Sequence, residues 1–280
     1  MYRIKFYIIT TFCLLLISSS LFAQNNLRFK RITTRSGLSQ SNVTGIIRDK
    51  FGFMWFATRD GLNKFDGYKY TVYQYDSEKR NSISSSYVCI VYEDSKNNIW
   101  VGSAAGLDRF DRNTNQFINC PLSSDETYVK SIIEDSNGNM WVGTKSGLYM
   151  IDQKTQKVKA FLNDSDNSTY NGYNDVNIIR EINKGELWIG TVNGLNILNL
   201  KTFYILTLRH KKNNINSILG NNIKGLEKDK TGNIWIASDG GGLSKYNPEK
   251  KKFTHFKHQK NNPNSLSTNN LIYLSIDDDD

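Results

Sequence analysis

Asp135-Ser136-Asn137-Gly138-Asn139-Met140-Trp141-Val142-Gly143-Thr144-Lys145-Ser146-Gly147-Leu148 is a stretch whose local chemistry can be read residue by residue. Asp-Ser-Asn-Gly-Asn is hairpin-turn composition: the carboxylate accepts backbone N–H groups, and glycine takes the positive φ that a tight turn needs. Met140 to Thr144 then reads as a strand whose alternation places Trp141 and Gly143 on one face. Upstream, the β-branched run Tyr128 to Ile133 reads as the preceding strand. Downstream, Leu148 to Ile151 reads as the following one.

The same pattern recurs along the chain. All five tryptophans, Trp55, Trp100, Trp141, Trp188 and Trp235, fall in one frame, 45, 41, 47 and 47 residues apart. Two positions after each stands a small residue (Ala57, Gly102, Gly143, Gly190, Ala237), then a hydroxyl (Thr58, Ser103, Thr144, Thr191, Ser238), and a little later Gly-Leu. Six positions before stand Asp49, Asp94, Asp135 and Asp229, with Asn183 five before in the fourth repeat. A period of about 40–50 residues with one tryptophan per unit is that of a four-stranded propeller blade. The expected fold is therefore all-β, a β-propeller with five complete blades. Phe253-Thr254-His255-Phe256 exemplifies the aromatic fourth strand. Each indole is expected to pack on the neighbouring blade, and each Gly or Ala to let blades approach closely.

Ser265 to Ile272 matches the lead-in Leu38 to Val43 and opens a sixth unit, but the sequence reaches Asp280 where the next tryptophan is due. Residues 28–34 read as an outermost strand lacking its own blade. An open ring, and a piece of a longer protein, are the expectation.

Residues 1–23 have the parts of a secretory leader: Arg3 and Lys5, an apolar run from Tyr7 to Phe22, and small Ala23 at the cut. The domain reading is thus a signal peptide at 1–23 and a partial propeller at 24–280, with a periplasmic location. Two of the nine excess positive charges belong to the leader, and the remaining lysines are scattered through turns (Lys96, Lys145, Lys184, Lys228), which reads as a solvated basic surface. No basic stripe suited to nucleic acid is present. Beyond the leader only Cys89 and Cys120 remain, too few for a disulfide framework.

The repeat Asp-x-x-Gly-Asn-Ile-Trp-Ile-Gly-Thr-x-x-Gly-Leu, visible at 135–148 and 229–243, resembles the two-component regulator propeller repeat, as does the lead-in Leu38 to Val43. The likeness spans about residues 27–280, with a shortened turn at Asn183 and one extra residue in Asp239-Gly240-Gly241-Gly242-Leu243. It implies the periplasmic sensor of a membrane-spanning hybrid histidine kinase, in a family often tied to polysaccharide use. It also implies a following propeller, signalling domains in the same chain, a homodimer in the full-length protein, and an oligosaccharide ligand.

Propeller ligands sit near the axis, on loops between blades and between second and third strands. Candidate ligand residues are Arg59, Asp60, Tyr128, Lys145, Asn193 and Asp239, which vary from blade to blade inside a fixed frame and supply the hydrogen-bonding and stacking groups a sugar needs. The five tryptophans are structural. Catalytic residues, metal ligands and cofactors are not expected in this segment. His210, His255 and His258 fall in outer-strand regions, and Asp135–Asn139 lacks the spacing and the distal Glu of a calcium loop. The competing reading is a stand-alone secreted propeller, an interaction protein or a carbohydrate-active enzyme.

Overall fold

The computed structural model describes residues 29, 31–122, 128–163 and 174–277, so the leader lies outside the described residues. Residues 1–32 and 33–280 form two units, of which the second contains all the regular structure described here. Among the described residues there are twenty strands in five four-stranded antiparallel sheets, each in simple up-and-down order, and no α-helix long and apolar enough to cross a membrane. The inner strands are Val43–Arg48, Val88–Glu93, Val129–Glu134, Val176–Asn183 and Ile223–Lys228. Each is followed by a tryptophan-bearing second strand, a third opening at the Gly of Gly-Leu, and an outer fourth. The five blades expected from the repeat are present.

The first four tryptophans are each packed into a joint with the next blade. Trp141 is fully buried in a cluster drawn from blades three and four, with Ile133, Val176, Ile179 and Leu187, and its ring lies 4.9 Å from Phe161. The small residue two positions later is a spacing requirement. A Cβ on Gly143 would lie 2.5 Å from Val176 Cγ1 of the next blade, and one on Gly102 2.5 Å from Val129 Cγ1.

The aspartate six residues before the tryptophan has a second task beyond the turn. In blade three Asp135 Oδ1 accepts the backbone N–H of Asn137 and Asn139, both at 2.9 Å, while Oδ2 accepts the Trp141 indole N–H at 2.7 Å. Asp49, Asp94 and Asp229 hold their tryptophans in the same way, at 2.8–2.9 Å. In blade four, whose turn is shortened, Glu186 Oε1 accepts from Trp188 at 2.8 Å. Removing the carboxylate orphans a buried indole N–H and two turn amides together. Asp135→Ala is expected to destabilise by about 1–3 kcal/mol in urea unfolding.

Two of these carboxylates, Asp229 and Asp49, also set an acid limit. Burial alone would raise the pKa of Asp229, but donors from Thr231, Trp235 and Asn233 outweigh it and hold the group well below the usual carboxylate range. Asp49 is lowered likewise: burial opposes, and Trp55, Arg112 and Phe53 prevail. A carboxylate depressed in the folded state contributes stability that is complete above its unfolded pKa, about 3.9, and is lost as pH falls toward the folded value. The urea midpoint should therefore hold from pH 7 to about 5 and fall steeply below about 4. Asp229→Asn should flatten that fall.

Neighbouring blades are also tied at the end carrying these turns. Glu93 accepts from the backbone N–H of Lys50, Glu134 from both N–H and Oγ of Ser95, and Glu181 from both groups of Ser136. Arg112 adds a bridge from blade two to Asp49 of blade one at 2.8 Å and to Glu93 at 3.2 Å.

The first and last joints differ from the rest. Ile46 is 57% exposed, whereas its equivalents Val91, Ile132, Ile179 and Leu226 are exposed by no more than 4%. Trp235 is half-buried while the other four tryptophans are buried. The outer faces of blades one and five are thus uncovered. Leu274, in the extended lead-in after blade five, rests against Gly225 of the inner strand of that blade, where a Cβ would meet its own at 2.5 Å.

Of the strand expected at residues 28–34, the described residues form none. Phe29 and residues 31–33 carry no regular structure, and Thr34–Ser36 is a 3-10 turn ended by Gly37 at φ +103°. An outer strand needs the free edge of a third strand, and each of the five sheets already has its own fourth strand.

Candidate functional site

The turns between second and third strands lie at one end of the molecule together with the linkers that lead into each blade, because one backbone bond repeats. The N–H groups of Arg59, Ala104, Lys145, Val192 and Asp239 donate to the carbonyls of Asn42, Tyr87, Tyr128, Asp175 and Asn222, at 3.0–3.4 Å in the first three and 3.1 and 2.9 Å in the others. Asn42, Tyr87, Tyr128, Asp175 and Asn222 all stand thirteen residues before their tryptophan. Two residues on, strand alternation brings Thr44, Cys89, Lys130, Asn177 and Lys224 to the same side. The intervening residue, Val43, Val88, Val129, Val176 or Ile223, points into the blade joint, and all but Val43 are fully buried.

The second of these rings lines a mouth at the axis. Thr44, Tyr87, Cys89, Tyr128, Lys130, Asn177, Lys224 and Ile272 surround a cavity of 290 Å³. Every blade and the lead-in of the sixth unit contributes to it. A larger groove of 810 Å³ lies between the outer strands of blades one and two, lined by residues such as Tyr75, Arg80 and Gln116. That groove belongs to a single joint, whereas the axial mouth is where the whole repeat converges.

The mouth is polar and internally bonded. Tyr87 and Tyr128 meet edge to face with centroids 5.8 Å apart, and the Arg59 guanidinium lies 5.4 Å from the Tyr87 ring. Lys130 Nζ donates to Asp175 Oδ1 and, at 3.3 Å, to Asn177 Oδ1. Lys224 Nζ donates to the same Asn177 oxygen at 3.1 Å. Asn177 Nδ2 donates to Asn222 Oδ1 at 3.1 Å and to the Ile223 carbonyl at 3.0 Å, and Asn222 Nδ2 donates to Asp239 Oδ2 at 3.1 Å. Burial, with hydrogen bonds to Tyr87 and Cys89, raises the Tyr128 hydroxyl far above its ordinary pKa, so it stays protonated. Burial also raises the Cys89 thiol, which its neighbours Tyr128 and Lys130 only partly offset. Burial first, and then the Lys130 ammonium, lower Lys224 below the usual lysine range.

The residues singled out in the sequence are distributed unevenly around this mouth. Tyr128 is in its wall, Arg59 reaches it by stacking on Tyr87, and Asp239 joins through Asn222. Asp60 turns outward and accepts from Gln74 Nε2 at 3.0 Å. The Asn193 carbonyl is bonded by Arg209 Nε at 3.2 Å, also toward the outer strand. Lys145 is exposed, its backbone fixed to Tyr128. Thr44, Cys89, Lys130, Asn177 and Lys224 escaped the sequence reading. Their signal was available: eleven residues before each tryptophan, a polar or small side chain interrupts an apolar strand and changes in nearly every blade.

The histidines hold linkers. His210 Nδ1 and His258 Nδ1 lie 2.8 and 2.7 Å from the carbonyls of Ile218 and Leu266, equivalent positions of successive linkers, and His255 Nε2 is 2.9 Å from the Ile215 carbonyl. Cys89 and Cys120 are both free thiols.

Comparison with known proteins agrees with this architecture. Residues 37–60, 82–105, 122–146 and 217–240 match the two-component regulator propeller family model. Over 69 residues the chain is 51% identical to histidine kinase P4 of Formosa agariphila, an alignment covering 24% of this chain and 5% of that protein. The extracellular domain of a hybrid two-component system of B. thetaiotaomicron superposes with a TM-score of 0.67 at 29% identity, over 82% of this chain and 32% of that one. Virginiamycin B lyase from Staphylococcus aureus shares the fold alone, with a TM-score of 0.58 at 15% identity over 80% of this chain and 72% of that one. The chain thus spans a small part of the signalling proteins it resembles. Four of its five blades match the two-component regulator propeller repeat, and the chain is a β-propeller built on a unit similar to it.

Proposed function

We propose that this propeller is the exported, periplasmic sensing part of a hybrid two-component histidine kinase, and that it receives an oligosaccharide at the axial mouth without turning it over. The observation that carries the reading is the contrast within the repeat. The frame of Asp, Trp, Gly and Gly-Leu is nearly constant, while the residues eleven before each tryptophan vary and converge on one cavity, joined there by Tyr87 and Tyr128 from thirteen before. A binding face built on a rigid repeat has that pattern. Tyr87 and Tyr128 supply aromatic surface, and Asn177, Lys130, Lys224 and Asp175 supply planar and charged hydrogen-bonding groups around it. The likeness to the kinase of Formosa agariphila and to the B. thetaiotaomicron extracellular domain supports a role in signalling. In this reading the signal passes to further parts of the same chain within a homodimer.

The test is calorimetric titration of an oligosaccharide panel into the protein, with the sugar recovered and analysed afterwards. Binding that weakens at least tenfold in Tyr128→Ala and Tyr87→Ala, with the sugar recovered intact, is the expected result. Release of product, or binding that neither substitution disturbs, would overturn the proposal.

A further inference from the structure

We infer that the axial mouth is selective for an anionic group on its saccharide, a uronate carboxylate or a sulfate ester, held between Lys130 and Lys224. The inference rests on the preceding reading for the saccharide and on the geometry of the two lysines for the charge.

The two ammonium groups come from blades three and five and converge on one neutral acceptor, Asn177 Oδ1, at 3.3 and 3.1 Å. The orientation of that amide is fixed by its other bonds. Nδ2 is committed to Asn222 Oδ1 and the Ile223 carbonyl, and turning the amide over would set its N–H donors against two ammoniums. Lys130 has Asp175 as counter-ion. Lys224 has none within ion-pair distance among the described residues, and its ammonium donates to the amide oxygen it shares with Lys130. Asp239, the other carboxylate nearby, is bonded by Asn222. An ammonium has three donors, and a partly buried one without a counter-ion is held at an electrostatic disadvantage. Burial, and then the neighbouring Lys130 ammonium, lower the affinity of Lys224 for its proton, against the weaker pull of Asp175 and Asp239.

An anion seated in the mouth would give both ammoniums charge-assisted hydrogen bonds, about twice as strong as neutral ones. Arg59, stacked on Tyr87 at the rim, adds a third positive charge to the approach. The cavity, 290 Å³, is at the small end of the range for small-molecule sites, so it suits one charged residue of a saccharide better than a long glycan.

The experiment titrates the full chain with trigalacturonate, its methyl ester, a sulfated galactose trisaccharide and inorganic sulfate, at low and high salt. At least one charged sugar should bind tenfold or more tightly than the ester, less so at high salt. Lys224→Met should lose that tenfold, Lys224→Arg should retain most of it, and Lys96→Met, an exposed turn lysine, should change nothing. Preference for the uronate or for the sulfated sugar identifies the anion. Inorganic sulfate binding as tightly as either sugar would uphold the charge assignment but overturn the saccharide reading. Equal binding of acid and ester, unaffected by folded Lys224→Met, would overturn the anionic inference and leave the saccharide reading standing. Failure of every probe to bind overturns the inference.

Discussion

Trp141→Ala is expected to lower the unfolding free energy by about 3–5 kcal/mol, while Trp235→Ala in the same chain lowers it by no more than about 2 kcal/mol. Both indoles occupy one position of the repeat and donate to one kind of aspartate, at 2.7 and 2.9 Å. They differ in what covers them. Trp141 is wholly enclosed between blades three and four, against Val176, Ile179 and Leu187, so truncation leaves a cavity that two rigid sheets cannot collapse into. Trp235 faces an uncovered side and is flanked by Phe256, itself 39% exposed, and by Lys245 Nζ at 4.9 Å from the ring. Removing it exposes little that water does not already reach. Urea unfolding of both variants checks the difference. Equal losses would mean that the indole stabilises its own blade rather than the joint.

This asymmetry marks how far the sequence could be read. Trp141, Gly143 and Gly147-Leu148 were legible because each answers a local demand: bulk on one face, space two residues later, a turn that only certain residues tolerate. The use of both Asp135 oxygens was half legible, since turn amides are sequence neighbours but the indole is brought within reach only by the strand that follows. The axial mouth was the least legible. Lys130, Asn177 and Lys224 are about 47 residues apart in turn, and nothing local to any of them says that the three side chains meet. Loop positions such as Asp60 and Asn193 drew attention by residue type, yet their bonds run to the outer strands. The stretch 28–34 poses a similar problem: its composition suits a strand, but the free edge it would need is offered by none of the five sheets.

Gly190→Ala is expected to cost about 2–3 kcal/mol, and its cause can be separated by a double substitution. The added Cβ would lie 2.7 Å from Ile178 Cγ2 on its own sheet and 2.7 Å from Ile223 Cγ2 on the next blade. Neither neighbour can withdraw, since Ile178 and Ile223 are buried on inner strands. The other blades show how the repeat balances this volume. Across the first two strands, Ile90 pairs with Gly102 and Ile178 with Gly190, whereas Gly45 pairs with Ala57 and Gly225 with Ala237. In these four blades the residue two after the tryptophan is glycine where its partner is isoleucine and alanine where its partner is glycine; in blade three Gly143 faces Ser131. Ile178→Ala combined with Gly190→Ala should therefore lose less than the two single losses together, by about 1–2 kcal/mol. Strict additivity would place the whole constraint on Ile223 and the spacing between blades four and five. Asn177 and Lys224 stand on the two sides of that joint, each next to one of these isoleucines. A folded variant that widens it should thus lengthen the bond between them and weaken ligand binding at the axis, even though position 190 does not line the mouth.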